Sequence, residues 1–244
     1  KLRQLSISLH PCLRTTVRRW RGFQISWHVK GLGNKHPILL LHRFGASGAH
    51  WRNNINFYEE RKDLAASFRW AERINLHEGV ANHFSLAVNE SGTEFLMNPN
   101  MWHFSRIKAS DLLLLNANDK SVLQKENPPD ATAWGLHGAI HKNCKHARCV
   151  MHVHSIYATV LASLEDGMII PPINQNSCLF FGKQIIDTQY GGLAFEEEGQ
   201  RCSNLLKDKS FTTMIMGNHG LLVIGSNVAE AFNRLFYFER AAEV

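Results

Sequence analysis

A chain of 244 residues, 44% hydrophobic and 20% charged, can bury a full core and has the composition of a soluble globular protein. No apolar run approaches the roughly 20 residues that cross a bilayer, which argues against a membrane-embedded role. The net charge of +6 hides a split: residues 1–56 hold ten Lys/Arg and no Asp or Glu, so the other 188 carry 17 basic against 21 acidic groups. The basicity belongs to one segment, and the larger part is not read as a nucleic-acid binder. The five cysteines (Cys12, Cys144, Cys149, Cys178, Cys202) form no C-x-x-C pair and are odd in number. That pattern points to free thiols in a reducing compartment.

Residues 1–56 form the first of two expected regions. An Arg-rich, Ser-containing, acid-free start suits an organellar transit segment, a surface-binding arm or an appended non-native stretch, and all three stay open. Within it, His36-Pro-Ile-Leu-Leu-Leu-His42-Arg43-Phe44-Gly45-Ala46-Ser47, followed by His50-Trp51, resembles the strand and oxyanion turn of an α/β-hydrolase, over about Phe23 to Ile55. That family has Gly where Arg43 stands, and no Gly-x-Ser-x-Gly nucleophile elbow occurs in the chain. The stretch is therefore expected to be a fragment without a triad, poorly packed or serving as an arm.

The second expected region is 57–244. Tyr58–Asn75 spaces Leu64, Ala65, Phe68 and Ala71 as one face of a helix. After Glu78-Gly79, a hairpin is expected from His83–Val88, the turn Asn89–Gly92 and Glu94–Met97. Asp111–Leu115 is apolar enough to predict a strand inside the sheet, and Val122-Leu123 a short strand. Pro128-Pro129-Asp130 starts a helix through His141, with His137 packed inside and His141 facing out. Farther on come a short element at Cys178–Phe181, an edge strand at Gln184–Ile186, the loop Tyr190–Gly192 and an amphipathic helix at Glu196–Leu206. In that helix the Glu196–Glu198 run reads as a solvated start. Asn227-Val-Ala-Glu230 opens the last helix in the manner of a capping box, with Arg234, Glu239 and Glu243 facing solvent. His103 and His146 read as surface residues.

The chemistry concentrates at Cys149–Ser155. It reads as a buried strand whose final Ser155 can cap a helix over Ile156–Leu164. Side chains alternate along a strand, so His152 and His154 share a face and can chelate one metal ion. A third imidazole, His219, lies in the tight turn Gly217–Gly220 between the apolar runs Thr213–Met216 and Leu221–Ile224. A His-x-His pair also has a purely structural reading, as does the helical pair His137 and His141.

Several ordered blocks together resemble the class II aldolase/adducin family over about Tyr58 to Val244. They are Glu78–Ser85, Phe95–Pro99, Ser110–Leu112, Leu136–His141, His152–Ser155, Gly217–Gly220 and Ala229–Phe232. The resemblance implies a three-layer α/β/α sandwich around a mostly antiparallel sheet, in a cytosolic homotetramer acting on a small molecule, with no nucleic-acid or membrane partner. It implies that His152, His154 and His219 bind a divalent metal, zinc foremost and manganese or iron as alternatives. Members of the family continue beyond the last helix seen here into helices that complete a neighbour's site.

Two departures shape the expected function. The aldolases' acid/base carboxylate falls at Ala133 in this chain, and their phosphate-binding positions read Asn82-His83 and Asn100-Met101. The expected activity is thus carbon–carbon cleavage of an unphosphorylated hydroxy or oxo acid, or a sugar-derived acid, by decarboxylation or retro-aldol reaction. His83 would hydrogen-bond the substrate and Tyr190 would supply a proton. Two alternatives remain: a non-catalytic adducin-like interaction domain, and an iron-dependent oxygenase using the same three histidines.

Overall fold

The computed structural model describes residues 13–20, 23–30, 52–164, 168–189 and 195–244. The chain falls into two compact units, Lys1–Asn56 and Phe57–Val244. In the first, β1 (Leu13–Trp20) and β2 (Phe23–Lys30) form an antiparallel hairpin paired from Leu13↔Lys30 to Trp20↔Phe23. The alternation of Phe23, Ile25, Trp27 and Val29 with polar residues is a strand pattern. The hydrolase-like turn at His36–Trp51 lies outside the described residues.

The second unit begins within α1 (Arg52–Arg73), whose Leu64, Ala65, Phe68 and Ala71 are buried. Asn75 ends it in the left-handed region (φ +60°), letting the Leu76 N–H reach back to the Ala71 carbonyl at 2.7 Å as in a Schellman closure. There follow β3 (His83–Ala87), β4 (Glu94–Met97), β5 (Leu113–Asn116) and α2 (Ala131–Asn143). The middle of the unit contains β6 (Cys149–Val153), α3 (Ile156–Ala162), α4 (Gln175–Cys178) and β7 (Gln184–Asp187). The unit closes with α5 (Phe195–Leu205), β8 (Thr213–Met216), β9 (Gly220–Gly225) and α6 (Val228–Ala242).

The seven strands lie in the order β5-β4-β3-β6-β9-β8-β7, and every neighbouring pair is antiparallel except β7–β8. The expected three-layer architecture with a mostly antiparallel sheet is what forms. Strand alternation sorts the core. Phe84, Leu86, Met151, Val153, Leu221 and Val223 project to one face, where they meet Leu64 and Phe68 of α1, Ala158 of α3, and Leu235 and Phe238 of α6. Val150, Leu222, Ile224 and Met214 project to the other, against Leu136 and Ile140 of α2 and Cys202 of α5. Phe68 stacks on Phe84 at 4.7 Å and meets Phe104 edge-on at 4.7 Å. Such pairs each add about 0.5–1.5 kcal/mol beyond burial.

Several expectations are corrected. The apolar run before Asn116 forms an edge strand, and Leu114 is 53% exposed; apolarity marked a strand but not its place in the sheet. Val122-Leu123 lies in a 3-10 turn over Lys120–Gln124, opened by Asp119, whose side chain accepts the Ser121 N–H. Ser155 occupies the position before α3 without capping it. Glu239 of α6 does so instead: its buried carboxylate accepts from the Ser155 hydroxyl (2.6 Å) and from the N–H groups of Tyr157 (2.9 Å) and Ala158 (3.1 Å). This explains a Glu on the inner side of a helix where periodicity had placed it in solvent. Asn227 caps α6 through the Glu230 N–H, but Glu230 turns to Ser226, so the box is not reciprocal.

Candidate metal centre

β6 and β9 are antiparallel neighbours, with Val153 opposite Leu221, so the end of the His-x-His strand lies beside the turn carrying His219. Asn218 in that turn has φ +53°, and Gly220 follows it without a side chain. A Cβ at Gly220 would sit 2.5 Å from the Val153 carbonyl oxygen and 2.9 Å from His154 Cδ2. The turn can press against the strand only because that residue is glycine.

The three rings converge. Their centroids are 4.8 Å (His152–His154), 4.6 Å (His152–His219) and 4.8 Å (His154–His219) apart, and one nitrogen from each lies within 4.8 Å of the others. The hydrogen bonds behind two of them decide which nitrogen faces inward. His152 Nδ1 donates to the Leu221 carbonyl at 3.0 Å, and His154 Nδ1 donates to the Glu78 carboxylate at 2.6 Å. Carbonyl and carboxylate oxygens only accept, so both rings carry their proton on Nδ1 and present a bare Nε2.

Those two Nε2 atoms stand 2.9 Å apart. Lone pair against lone pair at that distance is unfavourable unless a proton or a metal ion lies between. Burial, with His219, His83, His154 and His137 around it, holds His152 well below the ordinary histidine value, so its own Nε2 is left able to accept. Burial likewise pushes His219 down to about 4, with His154 adding to the effect and Asp187 opposing it. Three imidazole nitrogens converging within 4.8 Å fit a divalent ion such as zinc.

The remaining expected site residues divide. His83 begins β3 directly opposite His152, its ring stacked on that ring at 5.3 Å, and it lines a cavity of about 300 Å³ together with His154 and His219. Burial, opposed by nearby Asp130, brings His83 down to about 4. Tyr190 lies outside the described residues. Ala133, Asn100 and Met101 all border the same cavity, and Met101 stands at φ +60°.

His141 corrects the outward placement expected of it, being 1% exposed. It and His137 both hold Ser85. His141 Nδ1 donates to the Ala147 carbonyl at 2.9 Å, leaving its Nε2 to accept the Ser85 hydroxyl at 2.7 Å. His137 Nδ1 then donates to Ser85 Oγ at 2.6 Å.

Glu198 is a second correction. Expected in solvent, it is 5% exposed and borders the cavity. The available signal was the adjacent Gly199 inside an amphipathic helix: a Cβ there would lie 2.7 Å from the Gly135 carbonyl oxygen, so α5 and α2 cross closely. Glu78 was also missed as a ring-orienting group. It is fixed by its own backbone N–H, which donates to buried Asn82 at 2.6 Å.

Comparison with known proteins agrees with this architecture. The model of the class II aldolase and adducin N-terminal domain matches residues 62–244. The meiotically up-regulated gene 14 protein of Schizosaccharomyces pombe is 29% identical over 182 residues, 74% of this chain and 69% of that protein. Mouse gamma-adducin is 27% identical over 183 residues, 74% of this chain but 24% of the adducin. A crystal structure of an aldolase II superfamily protein from Pseudomonas syringae superposes with a TM-score of 0.67 at 28% identity, covering 76% of this chain and 74% of that one. The chain belongs to the class II aldolase and adducin family.

Proposed function

We propose that this protein is a metal-dependent carbon–carbon lyase acting on a small, unphosphorylated hydroxy or oxo acid or a sugar-derived acid. The observation that carries the reading is the 2.9 Å approach of two Nε2 lone pairs with His219 beside them. His152, His154 and His219 would hold the ion. A divalent metal there supplies Lewis acidity, polarising a substrate carbonyl and offsetting the negative charge that develops as the bond breaks.

The chain's own residues favour certain substrates. Among the described residues bordering the cavity there is no Lys or Arg, and Met101 stands on the wall where phosphate donors would be needed. His83, held neutral, hydrogen-bonds a substrate oxygen. Ala133 can neither take nor give a proton, which favours decarboxylation: loss of CO2 needs no base and leaves an enolate that requires only a proton. Tyr190 is one proposed source of that proton. A homotetramer whose borders complete the site is the proposed assembly.

The adducin relationship supports a second reading, in which the domain binds other proteins and turns nothing over. Elemental analysis of the purified full chain, followed by a screen of oxo and hydroxy acids for CO2 or aldehyde release, separates them. About one zinc or manganese per chain with release supports the lyase, and iron with oxygen uptake indicates an oxygenase. Absence of metal, with thermal stability unchanged by chelator, favours the interaction domain.

A further inference from the structure

The described residues bordering the cavity include two carboxylates, Asp130 and Glu198, and their circumstances differ. Asp130 is engaged as the cap of α2, accepting from the Ala133 N–H at 2.9 Å and from the Thr132 hydroxyl at 2.5 Å. Glu198 Oε1 is buried and accepts no hydrogen bond. Arg201 Nη2 lies 3.9 Å from it but is committed to Asp187, which it grips at 2.9 Å while its Nε adds contacts of 3.0 and 3.2 Å. An unsatisfied buried carboxyl oxygen destabilises a fold, so a structural role alone does not account for it.

Its placement is built into the helix crossing. The contact of Gly199 with Gly135 brings α5 against the first turns of α2, where Ala133 borders the same cavity with only a methyl group. A side chain at Gly199 would push the helices apart and withdraw residue 198 from the wall.

We propose that Glu198 is the acid/base carboxyl of this site, filling from α5 the role that Ala133 leaves vacant on α2. This rests on the lyase reading above. In the protonation step, the enolate carbon takes the proton of the Glu198 carboxyl: a C–H bond forms, the O–H bond breaks, and the carboxylate regains a proton from water. In reverse, Glu198 removes a proton from carbon beside a carbonyl and the electron pair stays as the enolate. No oxidant or reductant is involved. Burial pushes the Glu198 carboxyl upward, Arg201 opposes this and Asp187 reinforces it, the direction a proton-carrying carboxyl needs.

The test compares the full-length wild type with Glu198→Gln and Glu198→Asp. Zinc affinity, thermal midpoint, and deuterium uptake from D2O into pyruvate, hydroxypyruvate and dihydroxyacetone are measured. Glu198→Gln is expected to slow deuterium uptake by about 100-fold or more, with zinc affinity within about threefold and the midpoint unchanged or raised. Glu198→Asp, which keeps a carboxyl, is expected to recover part of the rate. The inference is overturned by uptake at the wild-type rate in Glu198→Gln. It is also overturned by a midpoint lowered by about 3 °C or more, which would make Glu198 a structural partner of Arg201. A wild type that retains no zinc removes the metal reading itself, whereas zinc retention with unchanged uptake in Glu198→Gln removes only Glu198.

Discussion

Two groups of histidines lie side by side in this domain, with His83 packed between them at 5.3 Å from His152 and 5.6 Å from His137. In one, closed around the serine, donors meet acceptors from His141 through Ser85 to His137, and beyond it His137 Nε2 is buried without a hydrogen bond. In the other, His152 and His154 direct their protons away, to Leu221 and Glu78, and turn bare nitrogens toward one another and toward His219. Both sets hold a histidine pair at a spacing able to bind metal, His137 and His141 fully buried, His152 buried beside the half-buried His154. What separates a core cluster from a candidate metal centre is what meets the bare Nε2, a serine hydroxyl at His141 and another imidazole nitrogen at His152, not the spacing in sequence.

The contrast can be broken most severely at the open cluster. His154→Ala is expected to remove stoichiometric zinc, lowering affinity by about 1,000-fold or more, as read by equilibrium dialysis. Full retention of zinc in that variant would discard the ligand assignment.

Acid should act on the closed cluster. His141 is lowered from its ordinary 6.5 to about 4, chiefly by burial, so the unfolded chain binds its proton first as pH falls. Stability from this residue is therefore complete above about pH 6.5 and is lost progressively down to about pH 4, on the order of 3 kcal/mol. Urea midpoints between pH 7 and pH 4 should show the loss in metal-free protein. His141→Gln should flatten the slope, and an unchanged slope would contradict the placement.

A smaller effect is expected from Glu78→Ala, which leaves the three ligands but removes the acceptor orienting His154. Zinc affinity should fall by about 10–100-fold with little change in the melting of the metal-free chain. Smallest is Ser85→Ala, which leaves His141 Nε2 and the His137 N–H without their partner. A loss of about 1–3 kcal/mol in stability, with zinc affinity almost untouched, would mark the closed cluster as structural. Equal losses of metal from Ser85→Ala and Glu78→Ala would erase the distinction between the clusters.

Much of this was legible in the chain itself. The apolar run at Cys149–Val153 and the helical spacing at Leu64–Ala71 express local geometry, so the elements and, given a strand, the shared face of His152 and His154 followed from residue order. The punctuation at Gly217–Gly220 and Asp130 located a turn and a helix start for the same reason. Element type is a local property, and these residues express it locally.

The tertiary structure alone decided the rest. Glu239, Glu198 and His141 all had polar character that suggested solvent, yet each is buried by elements remote in sequence. Glu239 is drawn inward by the open N–H groups of α3, His141 by Ser85 and Ala147, and Glu198 by a close crossing of two glycines. Burial and hydrogen-bond partnership are settled by what packs across from a residue, and for these three the partners lie as far as 84 positions away. The order of amino acids therefore determined which imidazoles could meet, while packing determined which of their nitrogens were left bare.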